Sequence, residues 1–282
     1  MGKTTFLMMI AIALISLNSC KKDPVTLPEE NIEGLRLVTD NQMIADDELD
    51  KVERLGDLEE ANFDINTERE DSIPEDGPCI TKTWSGDSLV RILTIDYGTE
   101  PCLCLDSVYR SGKIIFTFSG KKFHVGATKT VHFINYNVNG HIFNGERVRI
   151  YVGNATFRRK VDEMNMTFND STSTWKADET VVVLAGFETI DREDDIIQVT
   201  GSTWGIRRNG VGFKSEIKRP LIRKGDEMCS RYFIKGLVET KENNGNTIVF
   251  NYDPYNDGAC DKLASISFNG QTPEIIEIRR RR

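Results

Sequence analysis

The chain is poor in the residues that usually do chemistry. It has three histidines, His124, His132 and His141, in 282 residues. It contains no Gly-x-Ser-x-Gly nucleophile elbow, no His-Glu-x-x-His pair, no P-loop and no dinucleotide fingerprint. Long apolar runs are also missing. The apolar run near the N-terminus is the 12 residues from Phe6 to Leu17, without a charge, too short for a helix to cross a hydrocarbon layer of about 30 Å. These absences argue against an enzyme with a familiar motif and against a multi-span membrane protein. No cofactor is expected. The formal net charge of -8 argues against a nucleic-acid partner.

A basic start at Lys3, the short apolar run and the small residues after it are the parts of an export signal. The segment Leu17-Asn18-Ser19-Cys20 resembles the lipobox of bacterial lipoproteins. That resemblance implies a signal peptide over 1–19 and acyl chains on Cys20, hence anchoring to a membrane without a transmembrane helix. Lys21 after the cysteine points to the outer membrane and leaves periplasmic face or cell surface open.

Residues 23–78 hold 19 Asp and Glu against four Lys and Arg, and residues 20–78 read as an acidic, extended tether. Leu49, Val52, Leu55 and Leu58 recur every three residues, which predicts a short amphipathic helix within 46–61. Gly56 in its middle weakens that helix by about 1 kcal/mol relative to Ala. The acidity suits a solvated spacer, the alternative being recruitment of a basic partner or calcium. The prolines and glycine of Ile73 to Pro78 close the segment.

From Cys79 to Arg282 the character changes. Lys and Arg number 29 against 25 Asp and Glu, so the acidity belongs to the arm. Strand-like runs rich in β-branched and aromatic residues dominate: 89–95, 113–119, 130–136, 147–152, 180–184, 196–200, 247–252 and 264–268. Five Asn-Gly steps, at 139–140, 144–145, 209–210, 244–245 and 269–270, supply the positive φ of hairpin turns. The expected fold is all-β and antiparallel, a hairpin-rich sandwich or a strongly twisted, partly closed sheet. Segments 79–120 and 229–270 share one pattern: Cys, strand, a turn containing Tyr97 or Tyr252, Cys, strand. They are candidates for related hairpin units.

Several stretches, among them Trp84-Ser85-Gly86-Asp87-Ser88, Asp96-Tyr97-Gly98, Cys102-Leu103-Cys104 and Asp257-Gly258-Ala259-Cys260-Asp261, resemble an uncharacterised group of Bacteroidota envelope lipoproteins. The resemblance implies an exported, lipid-anchored β-domain and brings no activity with it.

With Cys20 lipidated, five cysteines remain: Cys79, Cys102, Cys104, Cys229 and Cys260. The repeated pattern pairs Cys79 with Cys102 or Cys104, and Cys229 with Cys260, leaving one free thiol. Zinc is not expected, because no histidine lies near these cysteines. Asp191, Asp194 and Asp195 form a weak calcium candidate, as do Asp253, Asn256, Asp257 and Asp261, but such clusters also make turns. Trp84, Trp175 and Trp204 are either core or a sugar-stacking surface. His132 and His141 read as ordinary strand histidines. Arg279 to Arg282 read as a solvated tail, with anionic headgroups as the alternative contact.

Together these features predict a lipid-anchored, non-enzymatic binding or structural module of the cell envelope. Glycan capture is the first alternative, and a lipid carrier or envelope hydrolase the next. The expected partner beyond the membrane is an unknown envelope protein or glycan.

Overall fold

The computed structural model describes residues 45, 48–63, 79–189, 193–226, 229–230 and 232–278. All fall in one compact unit, Val38–Arg282. Residues 1–19, expected to be a signal peptide, and Cys20 and Arg279 to Arg282 lie outside the described residues.

One antiparallel sheet holds every described strand. Its strands are β1 (Thr81–Gly86), β2 (Val90–Asp96), β3 (Cys102–Leu103), β4 (Tyr109–Ser119), β5 (Thr128–Val138), β6 (His141–Gly153) and β7 (Thr156–Phe168). They continue with β8 (Ser171–Ala185), β9 (Ile196–Ile206), β10 (Gly212–Lys224), β11 (Lys235–Glu242), β12 (Thr247–Asn251), β13 (Leu263–Phe268) and β14 (Glu274–Glu277). Each strand pairs with its neighbours in sequence, except that the short β3 pairs only with β4 and leaves β2 beside β4. The fold is therefore all-β, but as a single sheet that does not close, rather than a sandwich.

Turn chemistry explains the meander. Asn139-Gly140 and Asn269-Gly270 both have positive φ at the two central residues, joining β5 to β6 and β13 to β14. Asn209-Gly210 and Asn244-Gly245 close loops in which only the glycine is left-handed. Asn144-Gly145 departs from expectation, since it lies inside β6 and makes no turn. There the register slips between Phe133 and Tyr136, and Asn144 Oδ1 accepts the Asn135 amide at 2.8 Å. The step serves a bulge instead. Two hairpins use pairs the Asn-Gly rule misses, Asn154-Ala155 and Asn169-Asp170, all four residues at positive φ.

Residues 48–63 form a helix, α1, that lies against one face of the sheet. Ala45, Leu49 and Val52 join a core of Leu93, Ile95, Phe116, Phe133 and Tyr136. The contact stripe runs through Leu49, Val52 and Gly56, not through Leu58, which is 52% exposed. At Gly56 a Cβ would stand 2.7 Å from Phe116 Cδ1. The glycine that weakens the helix by propensity is what lets its backbone rest on that ring.

Disulfides join Cys79 to Cys102 and Cys229 to Cys260, with Cα separations of 5.6 and 5.3 Å, and Cys104 is a buried free thiol. Each bond ties a cysteine ahead of a strand trio, β1-β2-β4 or β11-β12-β13, to the connection between its second and third strands, which in the first trio contains β3. The two segments alike in sequence thus share one disulfide topology at opposite ends of the sheet.

A basic row beneath an acidic helix

Antiparallel register places residues directly opposite one another on the same face. One such row reads Arg91, Phe118, Lys129, Arg149, Arg159 and Glu179 across β2, β4, β5, β6, β7 and β8. Lys129, Arg149 and Arg159 are thus three adjacent like charges, an arrangement that repels on an open sheet. Arg147 lies two residues from Arg149 on the same face, and Lys129 and Arg147 are only 4% and 5% exposed.

Helix α1 covers this row with carboxylates. Asp57 Oδ1 is 2.8 Å from Lys129 Nζ and 2.5 Å from Arg149 Nη2. Glu53 lies 3.2 Å from Arg149, 3.3 Å from Arg147 and 3.6 Å from Lys129. Asp50 pairs with Arg223 and stands 3.7 Å from both Arg147 and Arg159. Glu60 meets Arg91 at 2.7 Å and Glu59 meets Lys82 at 2.6 Å. Glu48 accepts the Tyr136 hydroxyl at 2.7 Å. All six helix carboxylates are engaged by the sheet. The spacing Asp50, Glu53, Asp57, Glu60 follows the helical repeat, so one stripe of the helix is matched to one row of the sheet.

The titration shifts have the sign this geometry demands. Burial pushes Glu53 up, but Arg147, Lys129 and Arg149 outweigh it and hold the carboxyl at about 2. Asp50 behaves alike, its burial overcome by Arg223, Arg159 and Arg147. Burial pulls Lys129 down, as does neighbouring Arg149, and Asp57 and Glu53 only partly restore it. Burial raises Glu60 despite Lys122 and Arg91.

Beside this seam is a cavity of about 440 Å³. Helix residues Glu53, Asp57 and Leu58 form one wall, and Phe157, Val181 and Ile197 belong to the floor. Its mouth is framed by the β4–β5 loop with Lys122 and Phe123, the β8–β9 loop with Phe187, and Lys224 at the end of β10. Phe187 packs on Phe123 at 4.8 Å between centroids and stacks on Tyr151 at 6.0 Å. Arg149 sits 4.8 Å over the Phe157 ring.

The residues singled out from sequence lie elsewhere. Trp175 is buried, Trp84 is wedged between Phe63 of the helix and Phe118, and Trp204 is 38% exposed. They form no shared stacking surface. His132 sits opposite Glu146, with Nδ1 3.7 Å from its carboxylate, while His141 pairs with Val138 and stacks on Phe168. His124 is exposed. Asp194 accepts the Thr189 hydroxyl, Asp195 lines the cavity, and Asp191 is outside the described residues. Asp253 accepts the amides of Asp257 and Gly258, which makes that acidic cluster a turn. Asp226, Cys229 and Cys260 come together, but both sulfurs are consumed by the disulfide.

The basic row was not visible in the sequence. In β6, Arg147 and Arg149 alternate with Val148 and Ile150, which reads as cations outward and aliphatics inward. The one available signal was the acidic repeat on the helix. No helix among the described residues is long and apolar enough to cross a membrane. Compared with protein-family models, curated proteins and solved structures, the chain matches none.

Proposed function

We propose that this protein is a lipid-anchored, non-enzymatic binding module of the outer envelope, clasped by its own acidic arm. The observation that carries this reading is the engagement of all six carboxylates of α1 by the sheet. The helical part of the arm, residues 48–63, packs on the sheet rather than standing free as a spacer.

Three observations favour binding over catalysis. Asp57, a buried carboxylate of the cavity, is committed to Lys129 and Arg149. No histidine lines the cavity. Cys104 is buried in the core and does not line the cavity. The glycan alternative loses its main support with Trp175 buried and Trp84 covered. The resemblance to Bacteroidota lipoproteins agrees with the envelope placement.

The test is fractionation. Cys20→Ser moves the protein from the membrane fraction to the soluble one, whereas wild type stays with outer-membrane lipid. Labelling intact cells with a non-permeant amine reagent then assigns the face. Membrane retention of Cys20→Ser overturns the anchoring.

A further inference from the structure

The cavity beside the seam has the volume of a small-molecule site. Three features give its ligand a chemistry. The first is Glu53, which lines it. Both its carboxylate oxygens are buried and accept no hydrogen bond, although Arg149, Arg147 and Lys129 stand 3.2 to 3.6 Å away. A buried, ionised carboxylate with unused acceptor directions is costly unless a donor arrives.

The second feature is the apolar floor. Val183 pairs with Ile197, and Val181 pairs with Phe157, so the four side chains share one face. With the Phe187 ring stacked on Tyr151 at the mouth, the site favours a flat apolar body. The third feature is charge. Arg149, Arg159 and Arg223 are each matched by carboxylates. Lys122 and Lys224 also line the cavity, and neither has a carboxylate within ion-pair distance among the described residues. Lys122 instead lies 5.3 Å over the Phe123 ring. With Asp195, Arg54 and the exposed Glu188 included, the lining holds six cations against five carboxylates.

We propose that this cavity binds a small aromatic carboxylic acid bearing a hydroxyl group. The hydroxyl donates to Glu53, the ring lies on the floor of Phe157, Val181 and Val183, and the carboxylate meets Lys122 and Lys224. This deepens the binding-module reading and rests on it. Because the helix forms one wall, the occupied site also holds α1 against the sheet.

The probe is 6-hydroxy-2-naphthoic acid, read by its own fluorescence polarisation on the Cys20→Ser chain. Saturable binding is expected, weakened about tenfold or more by Lys122→Ala with Lys224→Ala, and abolished by Val183→Trp, which fills the floor. Both lysines sit at the rim, so their removal leaves the fold intact, as circular dichroism verifies. 2-Naphthoic acid, lacking the hydroxyl, should bind about tenfold more weakly. No saturable binding up to about 1 mM, or binding indifferent to the lysines, overturns the site. Equal affinity for 2-naphthoic acid overturns the role of Glu53. Fractionation of Cys20→Ser is independent of the probe, so loss of the ligand and loss of the envelope reading are separately visible.

Discussion

Asp57 meets Arg149 through both carboxylate oxygens, Oδ1 2.5 Å from Nη2 and Oδ2 3.1 Å from Nη1. The pair joins residues 92 apart in sequence and is the bidentate arrangement in which guanidinium and carboxylate bind best. Asp57 also receives Lys129, so its removal leaves two buried cations side by side. Asp57→Ala should cost about 3–5 kcal/mol in chemical denaturation. Arg158→Ala, whose partner Asp178 is exposed, should cost at most about 1 kcal/mol.

Acid should loosen the helix. Glu53 titrates at about 2 in the folded protein against an ordinary 4.5. Its contribution is complete above pH 4.5 and is lost as pH falls toward 2. Asp50 is shifted in the same direction, while Glu60 is shifted upward and opposes them. Thermal unfolding followed by circular dichroism should show stability falling across this window. The slope should be shallower in Glu53→Gln, which has nothing to titrate there. An unchanged slope would argue against the ion-pair seam.

Gly56 tests the close approach of α1. By propensity alone Gly56→Ala would gain about 1 kcal/mol. Against the fully buried Phe116 the added Cβ must displace ring or helix, and overpacking of this kind costs about 1–3 kcal/mol. We expect a net loss, larger for Gly56→Val. In a Phe116→Leu background the Gly56→Ala penalty should shrink, and a double-mutant cycle measures the coupling.

Cys104 should be silent until the fold opens. It is 7% exposed within the core, whereas the other four described cysteines are bonded. In the Cys20→Ser chain a thiol reagent should find almost no reactive group natively and one per chain in denaturant. Native reactivity at this position would mean that the core near β3 breathes.

Removing the C-terminal bridge probes its end of the sheet. The loop closed by Cys229 and Cys260 spans 31 residues, and its loss should cost about 3–4 kcal/mol in the chain-entropy model. Cys229→Ser with Cys260→Ser should show this in denaturation, with Lys129 and Arg149 still covered by the helix in proteolysis of 48–63.

Strand content, hairpin connectivity and the Cys229–Cys260 bridge were legible because they are encoded locally, whereas the choice of Cys102 over Cys104 as partner of Cys79 was left to the structure. Alternating β-branched residues set the period, Asn-Gly steps set four of the turns, and cysteines in a repeated order met within each strand trio. Asn144-Gly145 failed for a physical reason. Positive φ serves a bulge as well as a turn, and only the pairing of β5 with β6 distinguishes them. Leu58 failed because a three-residue repeat drifts around a helix, whereas contact follows Leu49, Val52 and Gly56.

The chain's acidity is where sequence and tertiary structure part. By itself the sequence determined that the carboxylates sit in the arm, that the β-domain is mildly basic, and that Asp50, Glu53, Asp57 and Glu60 share one helical stripe. It did not determine that the stripe is buried. Lys129, Arg149 and Arg159 come from three strands, and only the register of the sheet stacks them into a row. Once stacked, their mutual repulsion makes an anionic cover favourable, and Gly56 lets α1 come close enough to provide it. Charge is written along the chain, but what it meets depends on which distant residues the fold brings to the same face.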